Sequence, residues 1–232
     1  MTWLVACSHG TADPVGTASL SALADAVRRR GVEVAEAYVD VHGPYVADVV
    51  RDLGGDVVVV PLLLATGYHV RVDIADAVRD WPQARVARAL GPDPRLVELL
   101  ADRMRAAGIG PEDALVLAAA GSSDARSEES VRGTAEALAR LCGASVRVGY
   151  GAAREPRLAC EVARTRLENA DRRVAVVSYL LAGGYFHRRA SACGADITTE
   201  PLLDPGEPDP RWVDLVLDRF AEASAPDPLT PA

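Results

Sequence analysis

The chain has 232 residues, 49% of them hydrophobic, and its 33 carboxylates outweigh 25 Lys and Arg to give a formal charge of −8. That length and apolar content support one large domain or two small ones with real cores, and the acidic balance excludes a general electrostatic grip on nucleic acid or anionic lipid. Cys7, Cys142, Cys160 and Cys193 are scattered without a C-x-x-C pair, which excludes a zinc knuckle or a cluster-binding run and predicts reduced, mostly buried thiols. The N-terminus runs straight into "TWLVAC" without a basic or long apolar leader. No stretch approaches the roughly 20 apolar residues needed to cross a bilayer. A soluble, cytoplasmic protein with no membrane or nucleic-acid partner is expected.

In chain order, "TWLVAC" is an apolar run of strand length, and 14–30 reads as a helix with Leu20, Leu23, Ala24 and Val27 on one face. "EVAEAYV" (33–39) is a second strand, and 44–53 a second helix with Pro44 in its first turn. "DVVVVPLLLA" (56–65) is apolar on both faces and Val-rich, as a central parallel strand should be. A helix at about 70–81, a short strand "ARVARAL" and a helix at 94–107 complete this half. Strands alternating with helices predict β-α-β units and a parallel sheet covered on both faces.

The pattern is written twice. "LVACSHGTADP" (4–14) matches "LVLAAAGSSDA" (115–125), and "DVVVVPLLLATGYHV" (56–70) matches "RVAVVSYLLAGGYFH" (173–187), in the same order. The Gly- and Pro-bearing stretch "AAGIGPEDA" (106–114) is the natural seam. The expected fold class is therefore α/β: two similar lobes from internal duplication, each a parallel sheet flanked by helices, with the active cleft between them. The expected boundaries are 1–110 for the lobe carrying the histidines and 111–222 for a degenerate copy. Residues 223–232 form a Pro-rich, disordered tail.

Three of the four histidines follow strands: His9 the first, His42 the second and His69 the long central one. In an open parallel sheet these positions share the edge where ligands bind. The first and fourth strands of such a half commonly neighbour each other, so His9 and His69 can converge, with Gly10 and Gly67 leaving room for a ligand. Neutral imidazole is a common ligand of divalent transition metals. "HGPY" makes His42 a turn residue leading into a helix, and His187, one place off the aligned histidine, is read as structural or solvated. The second copy has Ala120 and Phe186 where the first has His9 and His69. Duplication with decay of one site leaves one histidine pair and a second lobe kept as a wall or shelf. The loop "GSSDARSEES" (121–130) fits two readings equally. It can offer backbone N–H groups, Ser122, Ser123 and Arg126 to a carboxylate, or it is an ordinary Ser or Asp helix cap.

"LVACSHGTADP", "VVVVPLLLATGYHVRVDI" and the degenerate "LVLAAAGSSDARSEES … VVSYLLAGGYFHRRA" resemble the sirohydrochlorin chelatases of the CbiX/SirB group over nearly the whole chain. The resemblance implies insertion of Co²⁺ or Fe²⁺ into sirohydrochlorin, on the routes to cobalamin or sirohaem, by a rim histidine pair that maps to His9 and His69. No permanently bound cofactor is implied, since the divalent metal is a substrate. Cys7-Ser8 stands where a small apolar pair is more usual, a departure that affects packing before the histidine.

Two imidazoles suit such chemistry. Four protein ligands make a closed structural site, whereas two leave positions for water and then ring nitrogens, and imidazole can also accept pyrrole protons near neutral pH. The many carboxylates of the tetrapyrrole call for local cations: Arg71 first, Arg126 second, with Arg188 and Arg189 better read as solvated. Gly10, Thr11, Ser122 and Ser123 are the other expected substrate contacts. Asp73 either orients a histidine through its second nitrogen or caps a helix. A histidine phosphatase is disfavoured because Ser8 stands where that chemistry wants an arginine. A metal or tetrapyrrole carrier needs the same residues, and a nickel chelatase is a further alternative. With both lobes in one chain, a monomer suffices to close the cleft.

Overall fold

The structure, a computed structural model, describes residues 1–65, 67 and 69–225, with the side chains of 69–71 outside that description. The chain divides into two compact units, Met1–Leu90 with Pro205–Ala232, and Gly91–Asp204. The first holds β1 (Trp3–Ser8), β2 (Val34–Tyr38), β3 (Val57–Pro61) and β4 (Ala84–Val86) in the order β2-β1-β3-β4, all parallel. The second holds β5 (Ala114–Ala119), β6 (Val146–Tyr150), β7 (Val174–Tyr179) and β8 (Ile197–Thr198) in the order β6-β5-β7-β8, again parallel. This is the duplicated α/β architecture expected from the alternating periods. The neighbour of β1 on the His69 side is β3 itself, not the fourth strand, which lies beyond β3. The expected adjacency of first and fourth strands is thus corrected, and the two histidine-bearing strands are direct partners.

Each central strand is apolar on both faces because helices cover both. Val57, Val58, Val59 and Val60 are fully buried, as are Val174, Ala175, Val176 and Val177. Each buried valine contributes on the order of 1.5–3 kcal/mol relative to exposure, before chain entropy is subtracted. Four helices start on an aspartate whose carboxylate accepts a first-turn N–H: Asp13 before α1 (Pro14–Arg28), Asp93 before α4 (Pro94–Ala106), Asp124 before α5 (Ala125–Cys142) and Asp209 before α8 (Pro210–Ser224). Three of these have proline next, where a missing N–H costs nothing.

The second helix, α2 (Val46–Leu53), begins two residues later than expected. Pro44 is in the preceding loop, where its carbonyl accepts the Tyr38 N–H at 2.9 Å. The third expected helix is a π-helical turn, His69–Ile74, followed by a single α turn, α3 (Ala75–Val78). Helices α6 (Leu158–Glu168) and α7 (Tyr185–Ser191) are their counterparts in the second unit. Of the cysteines only Cys7 is buried; Cys142 and Cys193 are half-buried and Cys160 is exposed, which corrects the expectation of mostly buried thiols. Helix α8 runs to Ser224, past the expected start of a disordered tail, and 226–232 lie outside the described residues.

The sequence repeats and the compact units do not coincide. Helix α4 ends the first repeat in sequence but packs against α5 and β7 of the second unit, burying Leu96, Leu99, Leu100 and Met104. Helix α8 ends the second repeat but packs on α1, β3 and β4 of the first unit, burying Trp212, Val213, Leu215 and Val216. The exchange is signed by equivalent arginines. Arg219, 1% exposed, donates to the carbonyls of Ala89 and Leu90 at 3.1 and 2.8 Å. Arg103 donates to the carbonyl of Leu202, the counterpart of Leu90, at 3.1 Å. Boundaries drawn at residues 110 and 111 follow the repeat, whereas the apolar faces of α4 and α8 assign those helices the other way round.

Candidate functional site

All strands of a parallel sheet end on one edge, and at that edge of the first sheet β1 delivers His9. The chain there is locked to the neighbouring strand ends. Val39 N–H donates to the Ser8 carbonyl at 2.9 Å, Asp40 N–H to the His9 carbonyl at 3.1 Å, and Leu62 N–H to the Cys7 carbonyl at 2.7 Å. His9 is half-buried with its Nδ1 shielded from solvent. The Ser8 Oγ beside it is buried and makes no hydrogen bond among the described residues.

On the side where a Cβ would stand, Gly10 is closed in by its own chain. At φ +97°, a Cβ here would lie 2.6 Å from the Asp40 carbonyl oxygen, so glycine is required for the loops after β1 and β2 to cross. Facing it, Val41 holds φ 67°, an uncommon conformation for a β-branched residue that costs on the order of 1–3 kcal/mol. Thr11 is taken up in the same crossing. Its Oγ1 accepts the Asp13 N–H at 3.1 Å and its carbonyl faces His42 Nε2 at 3.1 Å. His42 Nδ1 faces the Gly43 carbonyl at 3.0 Å, and the ring lies 4.2 Å from that of Tyr38.

After β3, His69 opens the π-helical turn, a backbone form that concentrates at functional sites. The side chains of His69 and Arg71 lie outside the described residues. Asp73 is half-buried inside this turn; the residue preceding α3 is Ile74, with no side-chain cap bond, so Asp73 is not the cap of α3. Burial pushes the Cys7 thiol up to about 12, which keeps it protonated near neutral pH.

The second rim repeats the scaffold with different side chains. Gly121 has φ +91°, and a methyl there would overlap the Ala152 carbonyl. Ala153 takes the left-handed conformation of Val41, and Ser122 Oγ accepts the Asp124 N–H at 3.2 Å as Thr11 does for Asp13. Asp124 in turn accepts the Arg126 N–H at 3.0 Å, so the loop carries an ordinary aspartate helix cap. Arg126 and Ser123 are exposed. Ala120 and Phe186, standing where the first rim has His9 and His69, pack on one common core cluster, and a Cβ on Gly151 would lie 2.7 Å from the Phe186 ring. The aligned positions in this unit therefore carry apolar side chains that belong to its core. His187 Nε2 lies 3.2 Å from the Thr199 carbonyl. Among the described residues, no group of three or more His, Cys, Asp or Glu is arranged to hold a metal ion.

The sequence reading missed two residues. Asp40 is bonded through its backbone to His9 and places a carboxylate at the same strand end. Arg154 donates to the Ser122 and Ser123 carbonyls at 2.9 and 3.0 Å and pairs with Glu128 at 3.4 Å. The signal was present as "YVDVHGP" (38–44) against "YGAAREP" (150–156), a third matched block in the duplication.

A family model, CbiX, matches residues 3–107 and again 114–223. The chain is a duplicated α/β protein of the CbiX family. Among solved structures, SirB from Bacillus subtilis with Fe3+ is similar over 97% of this chain and 96% of its own, with 21% identity and a TM-score of 0.73. The sirohydrochlorin chelatase SirB from Bacillus subtilis subspecies spizizenii, in complex with cobalt, is similar over 96% of this chain and 95% of its own, at 19% identity and a TM-score of 0.72. DR2241 from Deinococcus radiodurans, a multi-domain protein with structural similarity to chelatases, matches 95% of this chain over 54% of its own length, at 22% identity and a TM-score of 0.67. At these identities the three structures establish the fold. No curated protein is matched by the sequence.

Proposed function

We propose that this protein is a sirohydrochlorin chelatase that inserts Co²⁺ or Fe²⁺ into the ring at the rim of its first sheet, serving cobalamin or sirohaem formation. The observation that carries the reading is the asymmetry of the two rims on one scaffold. His9 follows β1 and His69 opens the π-helical turn after its direct neighbour β3, whereas the second copy has Ala120 and Phe186 at the aligned positions. Family membership supports it, as do relatives of the same fold bearing iron or cobalt.

His9 and His69 hold the incoming divalent ion with open coordination positions, so that water and then ring nitrogens can take them. The same imidazoles accept the two pyrrole protons that leave as metal enters. Arg71 and Arg126 meet substrate carboxylates, Gly10, Thr11, Ser122 and Ser123 line the substrate, and Asp73 orients a histidine. No helix among the described residues is long and apolar enough to cross a membrane. The proposed working form is a cytoplasmic monomer, and light scattering that shows an obligate dimer contradicts it.

The test is an anaerobic insertion assay with sirohydrochlorin and limiting Co²⁺ or Fe²⁺, followed in the visible spectrum, for the wild type, His9→Ala and His69→Ala. Acceleration by the wild type, with both folded variants at the uncatalysed rate, supports the reading. Ring or metal binding without acceleration for either metal overturns it in favour of a carrier.

A further inference from the structure

We propose that His42 is a positioning residue: its ring ties the loop after β2 to the loop after β1 and thereby fixes His9. The inference rests on the reading of His9 as a metal ligand, and the argument for the tie comes from the duplication. His42 Nε2 lies 3.1 Å from the Thr11 carbonyl. In the second unit the residue at the same place in the loop is Arg154, and its Nε donates to the carbonyl of Ser122, the counterpart of Thr11, at 2.9 Å. The two copies thus use different side chains, an imidazole and a guanidinium, to reach the same backbone oxygen. A contact made twice with unlike chemistry marks a mechanical requirement of the loop crossing.

In the first unit the tie closes a circuit around His9. The His9 carbonyl accepts the Asp40 N–H at 3.1 Å, the Asp40 carbonyl accepts the His42 N–H at 2.8 Å, and the His42 ring returns to Thr11, two residues beyond His9. Gly10, enclosed by this circuit, has no space for a Cβ. Tyr38, tilted 60° to the His42 ring at 4.2 Å, and the Gly43 carbonyl at 3.0 Å from Nδ1 hold the ring in its orientation. Without the ring, the Thr11 carbonyl loses this link to the second loop, and the turn carrying His9 is held less firmly. Metal ligands are sensitive to such support, and loss of an orienting partner weakens affinity roughly 10–100-fold.

The experiment compares wild type, His42→Ala and His42→Arg in the full-length protein by two readouts: amide hydrogen exchange of residues 10–13, and Co²⁺ affinity by titration calorimetry. Thermal unfolding verifies that the variants are folded. His42→Ala is expected to speed exchange of the segment and to weaken Co²⁺ binding about tenfold. His42→Arg, which copies the second rim, is expected to return both to within about threefold of wild type. Arginine does not ligate a divalent ion near neutral pH, so its rescue separates a tie from a ligand. Unchanged exchange in His42→Ala, faster exchange with unchanged Co²⁺ affinity, or an arginine variant as impaired as the alanine variant overturns the proposal. A wild type that binds no Co²⁺ overturns the metal-ligand reading instead, and the exchange data then decide the tie alone.

Discussion

At the rim of the first sheet, His9 follows β1 beside a tightly crossed pair of loops; at the rim of the second, the same crossing carries Ala120, and Phe186 stands at the position aligned with His69. The main-chain features are retained in both: a forced glycine, a left-handed residue facing it, a hydroxyl accepting the helix-cap N–H, and a side chain reaching the loop carbonyl. The imidazoles are retained in one. The crossing is therefore a requirement of the fold, which every copy must meet to close its sheet edge. The histidines are not, since the second unit folds around an apolar pair in their place.

The comparison extends to the exchanged helices, where the largest effect on stability is expected. Arg219 is fully buried with its guanidinium on two carbonyls, so Arg219→Ala leaves both unpaired and opens a cavity, at a cost of about 3 kcal/mol. Arg103 makes the equivalent bond from a side chain 24% exposed, and Arg103→Ala is expected to cost about half as much. Denaturant midpoints check both, and equal losses would break the ranking by burial.

Next comes Gly10→Ala. The φ of +97° and the 2.6 Å approach to the Asp40 carbonyl predict a loss of about 2–3 kcal/mol, with Gly121→Ala at least as damaging because its neighbour is closer. A neutral Gly10→Ala would show that the crossing is not rigid. The smallest effect lies at the opposite edge of the second sheet. The Arg173 guanidinium and the Gly110 N–H hold the buried Asp113 carboxyl below the usual carboxylate range. Its folded value lies below its unfolded one, so its contribution is present above pH about 4 and is lost as pH falls through the lower folded value. Arg173 is 56% exposed, which screens the pair, and Asp113→Asn is expected to cost about 1 kcal/mol at pH 7 and to flatten the acid limb of the stability profile. An unchanged acid limb would assign that limb to other carboxylates.

Much of this was legible before any coordinates. Val-rich runs and the 3.6-residue stripe of Leu20, Leu23, Ala24 and Val27 announced β3 and α1, and two matched blocks announced the duplication. What escaped notice depends on contacts between distant parts of the chain. Pro44 has the residue type of a helix start but sits in a strand-end bridge to Tyr38, and local propensity does not encode that pairing. Gly10 reads as an open position, and the approach of Asp40, thirty residues on, is not encoded in the local sequence. The exchange of α4 and α8 was hidden because the reading followed sequence order, although "DPRLVELLADRM" and "DPRWVDLVLDRF" carry the repeated arginines. For His9 and His69, the sequence named the strands and the structure made them direct partners, with the π-helical turn as an addition no periodicity announces.

The central claim is that one rim of two holds the metal, and the most direct measurement is the stoichiometry and affinity of Co²⁺ binding by equilibrium dialysis for wild type, His9→Ala and His69→Ala. The account predicts one ion per wild-type chain, with a loss in each variant greater than the roughly 10–100-fold caused by removing an orienting partner. Two ions per chain, or a single ion retained at full affinity after either histidine is removed, would contradict it.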